Sequence, residues 1–346
     1  MGLETLQIIW FALWGLLWAV YFMLDGFDFG AGYLMPFLAK SDTDKRIIIN
    51  TLGPVWDGNE VWLITAGGAT FAAFPTTYAY MFSWLYLPLL AILFCLIFRG
   101  VAFEFRGKKD SYGWQNGWDK VIAVSSFLAA FLFGVAFGNI FRGIPINMVD
   151  GQFVYEGNFF LLLNPYAILT GILFVLVFAY HGALWLNCKT EGELSVRAAK
   201  MAKKLFIPLV VVAVLFLAMT YFSTHLYDNF FKMPAFFAVI VLCVIALLVS
   251  GLFKGVKAFA LSCLVIVLTV FTGIIGLFPS LIPSSISPEF SLTAFNTSSS
   301  LYTLKIMTIV VAMFVPVVLV YQIWSYYIFR HPVKPEDIAD PDVETY

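Results

Sequence analysis

The sequence predicts an all-α integral membrane protein, and three observations carry that prediction. Hydrophobic residues make up 61% and charged residues 12% of the 346 positions, against about 45–50% and about 25% in water-soluble domains, which have no core large enough to hide so much apolar surface. The apolar residues gather in about nine long runs, each near the roughly 20 residues that one helical bilayer crossing takes. The runs show no strict alternation. Of the two backbone structures that satisfy their own hydrogen bonds in lipid, helix and closed barrel, they therefore select the helix.

In order, the runs cover 6–38, 51–74, 77–103, 119–141, 164–188, 205–224, 234–253, 257–280 and 303–329. The first follows Met1-Gly-Leu-Glu4, which lacks the basic start of a cleavable signal, and so reads as a retained span. Two connections are long, 142–163 and 281–302, and are expected to be ordered loops that cap the bundle or dock on a partner. The whole chain, 1–346, reads as a single polytopic membrane domain with approximate halves 1–141 and 142–329 and a tail at 330–346.

Basic residues set the orientation. Lys40, Lys45 and Arg46 follow the first run; Arg99, Arg106, Lys108, Lys109 and Lys120 flank the connection after the third; Lys189, Arg197, Lys200, Lys203 and Lys204 follow the fifth. Lys254, Lys257, Arg330 and Lys334 complete a set of 17 of the 20 Lys and Arg, leaving Arg142, Lys232 and Lys305 for the opposite side. The positive-inside rule makes the richer side cytoplasmic, with the amino terminus outside and the carboxyl terminus inside. A net charge of −1 without any Lys/Arg tract argues against a nucleic-acid partner. No nucleotide loop, nucleophile motif or internal repeat stands out.

Cys95, Cys188, Cys243 and Cys263 fall in or at the ends of the runs without C-x-x-C spacing, which fits small buried hydrophobes rather than a zinc or iron–sulfur site. Heme needs axial ligands, and the chain has three histidines. His331 is in the tail, while His181 and His225 are expected at opposite depths, so a shared heme is not expected and no metal site is apparent. Trp114, Trp118 and Trp185 fit an interfacial belt.

Acids within apolar runs are costly, about 2.5–3.5 kcal/mol each on insertion scales, and suggest function by default. Two pairs occur: Asp25 and Asp28 in DGFDFG, and Asp57 and Glu60 in GPVWDGNE. The i, i+3 spacing puts the members of each pair on one helix face. At 1.5 Å per residue, both pairs come to similar depth near the cytoplasmic edge of consecutive antiparallel spans, where they could form one polar cluster. Such carboxyls can carry protons; alternatively they are interface residues or helix caps. Trp56, Trp62 and Pro54 beside Asp57 favour a buried, irregular helix start. Arg99 is the candidate ion-pair partner, or else an anchor reaching the headgroups. Dense small residues, Gly26, Gly30, Gly32 and Ala66-Gly67-Gly68-Ala69, predict close helix packing around the acids.

The segment GPVWDGNEVWLITAGGATFAAFP at 53–75, with DGFDFG at 25–30, resembles subunit II of cytochrome bd-type quinol oxidases. FRGVAFEFRGK at 98–108, GVAFGN at 134–139, EGNFFLLLNP at 156–165, EGEL at 191–194 and FPSLIPSS at 278–285 extend the resemblance along nearly the whole chain. It implies nine helices, as two four-helix bundles plus a peripheral helix, in the bacterial cytoplasmic (inner) membrane. It further implies a partner, subunit I, that holds two b-type hemes and one d-type heme, oxidises quinol and reduces dioxygen to water. This chain would be heme-free and contribute a cytoplasmic proton route, with Asp57 and its neighbour Trp56 at the family's proton-route position and Asp25 and Asp28 as the DGFD acids. Some relatives carry Gln where this chain has Glu60. A structural quinone occurs in some members, and a small single-helix subunit is a further candidate partner beside the quinol pool and lipid. The competing class is a cation- or proton-coupled membrane transporter, for which inverted repeats and broken helices with midplane acids are the usual signs.

Overall fold

The computed structural model describes residues 1–339, so the last part of the expected tail, 340–346, lies outside the described residues. Helices dominate: α1 (Leu3–Leu38), α2 (Asp42–Leu52), α3 (Trp56–Ala73), α4 (Pro75–Trp84), α5 (Tyr86–Arg106), α6 (Tyr112–Arg142), α7 (Pro165–Lys189), α8 (Gly192–Ser223), α9 (Asp228–Lys232), α10 (Phe237–Ser250), α11 (Gly255–Leu277), α12 (Leu301–Ile328) and α13 (Pro335–Ala339). Seven of them, α1, α5, α6, α7, α8, α11 and α12, are long and apolar enough to cross a membrane. The two other expected crossings correspond to α3, whose 18 residues include Asp57, Asn59 and Glu60, and to the shorter apolar stretch Pro234–Ser250.

Two expected runs are interrupted, each next to a proline. The run 51–74 opens with the last turn of α2 and breaks at Gly53–Val55, where Pro54 has no N–H to continue the ladder. The run 77–103 divides at Leu85 into α4 and α5. Pro88 explains that break, because its ring would meet the carbonyl of Trp84 in a continuous helix. Helix starts carry local caps: Ser41 Oγ accepts from Asp44 N at 3.1 Å, and Asn164 Oδ1 accepts from Ala167 N at 3.0 Å ahead of Pro165 at N1. The helix containing the run 205–224 begins at Gly192, so its first turns extend beyond the expected span.

α1 is the central element, packed against α3, α6, α7, α11 and α12. Glycine makes its closest approach possible: a Cβ on Gly30 would lie 1.8 Å from the Phe178 carbonyl oxygen, and one on Gly182 of α7 would lie 2.4 Å from Ala31 N. Two helices in contact at backbone distance leave no room for a methyl group. α5 packs on α6, α6 and α8 on α7, and α10 on α11. Throughout α12 the lipid-type side chains Ile309, Phe314, Val317, Val320 and Ile323 are exposed.

The two long connections are not purely irregular, which departs from an all-α reading. Strands β1 (Ile146–Val149) and β2 (Gln152–Tyr155) form a hairpin turned by Asp150 and Gly151 at φ 50 and 75, and β3 (Ser280–Ile282) pairs with β4 (Leu292–Thr293). The loops cap the bundle by meeting each other: Ile144 N donates to Pro283 O at 3.1 Å and Ser285 N to Ile144 O at 2.9 Å. Their apolar side chains Ile144, Ile146, Leu162, Ile282 and Leu292 form a small core with Leu85.

At the other end, ion pairs join the connections richest in Lys and Arg. Arg106 contacts both Asp119 and Asp42 at 2.5 Å, Lys45 contacts Asp119 at 2.8 Å, and Arg197 contacts Asp44 at 2.6 Å. Lys189 donates to the carbonyls of Phe329 and His331, holding the segment after α12 against the end of α7.

Candidate functional site

The charged cluster forms where α1, α3 and α5 converge. Asp25 and Asp28 of α1 are both fully buried, on the face toward α3 and α5. Arg99 comes from α5 two turns before its end, also fully buried, and its Nη2 donates to Asp25 Oδ1 at 2.8 Å. The same nitrogen lies 3.5 Å from Glu60 Oε2, so one guanidinium serves a carboxylate from each of two neighbouring helices. Its carbon sits 4.1 Å from the centre of the Phe29 ring, giving the cation an aromatic face as well. The guanidinium thus lies inside the helix bundle, 0% exposed, against Asp25.

Asp28 turns to a different partner. Asn59 Nδ2 donates to Asp28 Oδ2 at 2.7 Å and to the Leu24 carbonyl at 3.2 Å. The Asn59 oxygen in turn accepts from Tyr326 Oη at 2.8 Å and Gln322 Nε2 at 3.2 Å, both on α12. Asp25 Oδ2, Asp28 Oδ1, and Arg99 Nε and Nη1 are buried without a hydrogen-bond partner among the described residues. Buried polar atoms left in this way are rare in packed interiors.

The second acidic pair does not stay together. Glu60 joins the cluster with its side chain 18% exposed. Asp57 lies on the exposed surface of α3, in line with Val61, Ile64, Gly68 and Phe71, contrary to the buried helix start expected for it. Its neighbour Trp56 turns inward against Phe103, ring centres 5.5 Å apart, and a Cβ on Gly100 of α5 would meet the Trp56 ring at 3.2 Å. Spacing of i, i+3 leaves about 60° between two side chains, enough here to put one acid at the helix contact and its partner outside it. Asn59, Gln322 and Tyr326 were missed because neutral polar side chains leave little trace in a hydropathy pattern. The available signal for Asn59 was its position between the two acids.

The histidines and Trp185 are equally definite. His181 is buried with both ring nitrogens engaged, Nδ1 with Ser262 Oγ at 2.7 Å and Nε2 with the Met23 carbonyl at 3.0 Å. His225 and His331 are exposed. Trp185, expected in an interfacial belt, is instead buried and stacked on Phe27 at 4.0 Å. Among the described residues no group of His, Cys, Asp and Glu is arranged to hold a metal ion.

A cavity of about 550 Å³ lies on the same side of α1, lined by Trp18, Leu63, Tyr78, Phe82, Leu89 and Phe133 among others. It is almost wholly apolar, and among the described residues the buried Trp18 Nε1 has no acceptor.

These features define a polytopic helical membrane protein that keeps a compensated charge cluster inside its helices. The chain belongs to the cytochrome bd terminal oxidase subunit II family, whose model matches residues 6–329. It is 38% identical over 339 residues to cytochrome bd ubiquinol oxidase subunit 2 of Bacillus subtilis, covering 97% of this chain and 99% of that one. Identity to cytochrome bd-I ubiquinol oxidase subunit 2 of Escherichia coli strain K12 is 36% over 367 residues, covering 97% of each. The bd oxidase structure from Geobacillus thermodenitrificans shares the fold at a TM-score of 0.75 and 18% identity, over 94% of this chain and 97% of that one.

Proposed function

We propose that this chain is the heme-free subunit II of a bd-type quinol oxidase of the bacterial cytoplasmic membrane, and that it supplies protons from the cytoplasm for reduction of dioxygen to water. Subunit I carries the two b hemes and the d heme and takes electrons from quinol on the outer side. The engagement of both His181 ring nitrogens supports the heme-free reading, since a nitrogen already in a hydrogen bond is not free to ligate iron. We read α1, α3, α5 with α4, and α6 as one four-helix bundle, α7, α8, α10 and α11 as the second, and α12 as the peripheral helix. The amino terminus is outside, and the end clamped by Arg106, Lys45 and Arg197 is cytoplasmic.

One observation carries the proton route: a buried arginine shared by acids of two helices, with a further acid one turn away at the surface. Asp57 takes protons at the exposed face of α3, which the partner subunit covers in the complex. Glu60, three residues on and partly exposed, relays them toward Asp25 and Asp28. Arg99 compensates the carboxylates so that the site tolerates both protonated and ionised acids without water. The apolar cavity beside Trp18 suits a structural quinone, with Trp18 Nε1 as the hydrogen-bond donor to a ring carbonyl; there it would brace the helices. Whether the partner set includes a small single-helix subunit is decided by what copurifies.

The test is Asp57→Asn in the purified complex. Quinol-dependent oxygen uptake is expected to fall while heme content stays normal; normal turnover with normal heme content would refute the route. Uptake of a cation by the chain alone in liposomes would instead support the transporter class.

A further inference from the structure

The end of the molecule opposite the ion-pair clamps holds a cleft of about 620 Å³, where the last turns of α6, α8 and α11 meet α9 and the loop around 280–291. Only three of the 20 Lys and Arg belong to this end by the sequence pattern, and two of them, Arg142 and Lys232, line this one cleft. Both are exposed, and neither side chain has a hydrogen bond or ion pair among the described residues. The one carboxylate in the lining, Asp228, lies 3.3 Å from His225 rather than against either cation. Membrane proteins keep cations sparse on this side, so two that line one cleft, with its single carboxylate turned to His225, form a site for an anion.

A second observation identifies what kind of anion. Deeper along the same helices, Leu217 of α8, Ile240, Cys243 and Val244 of α10, and Thr269 and Thr272 of α11 line a narrow, almost entirely apolar crevice of about 60 Å³. Thr272 precedes the cleft residue Gly276 by one turn, about 6 Å along the helix. Val244 is 39% exposed, so the crevice opens toward the surrounding lipid. A cationic cleft at the helix ends above an apolar crevice within the helices matches an amphiphile with a charged head.

We propose that this end of α6, α8 and α11 binds one anionic phospholipid, its phosphodiester between Arg142 and Lys232 and an acyl chain along the crevice between α8, α10 and α11. Free phosphate shares the head chemistry but makes no use of the crevice, and this separates the two sources.

The experiment uses the oxidase complex purified from its native membrane, as wild type, R142Q/K232Q and the charge-preserving R142K/K232R. Each is stripped in detergent and titrated with dioleoylphosphatidylglycerol, dioleoylphosphatidylcholine or inorganic phosphate. Retained lipid is counted by native mass spectrometry and the thermal midpoint is read alongside. Each surface cation gives about a fivefold preference for an anionic lipid, so R142Q/K232Q is expected to retain phosphatidylglycerol about 30-fold less well. R142K/K232R is expected to retain it as wild type does, with phosphatidylcholine retained weakly by all three. Equal retention of phosphatidylglycerol by wild type and R142Q/K232Q overturns the proposal. So does a rise in midpoint with inorganic phosphate equal to that with lipid, which would assign the cleft to a free anion, or loss of a subunit from R142Q/K232Q, which would assign it to a partner.

Discussion

Replacing Arg99 by Leu removes the one cation from a site that holds three carboxyls. The guanidinium is 0% exposed and its contact with Asp25 is 2.8 Å, so the remaining acid has neither water nor a counter-charge. At an effective dielectric near 20, unit charges this close attract by roughly 4–6 kcal/mol. Removing one partner of a buried pair costs about 3–5 kcal/mol once the survivor relaxes. At about 2–4 °C per kcal/mol that is a fall of roughly 6–20 °C in the thermal midpoint. The assay is the midpoint of the purified complex by fluorescence-detected size exclusion, for Arg99→Leu, Asp25→Asn and the double variant. Because the double variant removes both charges, it is expected to be more stable than Arg99→Leu alone. An Arg99→Leu midpoint within a degree or two of wild type, or a double variant showing the full sum of the two single losses, would refute the claim that the two side chains form one energetic unit.

Three further outcomes follow from the packing. Gly30→Ala should prevent close approach of α1 and α7, since its Cβ would fall 1.8 Å from the Phe178 carbonyl; a sharp drop in assembled complex on size exclusion is expected, with Gly2→Ala, which meets no atom within 4 Å, as the harmless control. Asn59→Leu strips Asp28 of its donor and Tyr326 and Gln322 of their acceptor, at about 1–3 kcal/mol for each buried group left unsatisfied; faster proteolysis of α12 in detergent is expected, and unchanged protection would count against that helix being held through Asn59. Arg106→Gln breaks the contacts with Asp42 and Asp119, whose side chains are 53% and 6% exposed; the Asp119 contact dominates because the Asp42 one is screened by solvent, and the loss of stability should shrink only modestly in high salt.

The long helices were legible because lipid demands long apolar runs, and the acids were legible because charge in such a run is conspicuous. Arg99 was readable on both counts, being basic and at matching depth to Asp25. What eluded the pattern was rotation about the helix axis. Spacing placed Asp57 and Glu60 on one side of α3, but packing against α1 and α12 decided that Asn59 faces Asp28 while Asp57 faces outward. The break at Leu85 had a readable cause in Pro88, outweighed by a run apolar on both sides of it. The first hairpin also had its signal, Asp150-Gly151 between two short alternating segments, while the second depends on contacts between distant loops that no local pattern encodes.

The bond between Gln322 and Asn59 spans 263 positions of sequence, and this distance has a meaning in time. At the usual pace of synthesis, about 5–20 residues per second, roughly 13–53 s pass between the emergence of the amide on α3 and that of its donors on α12. For that interval the nascent protein holds its acids with one side of the Asn59 amide unmet. The last of the long helices, α12, is therefore the one that completes the site begun by the first, and a chain truncated before it carries the same acids but an unfinished enclosure.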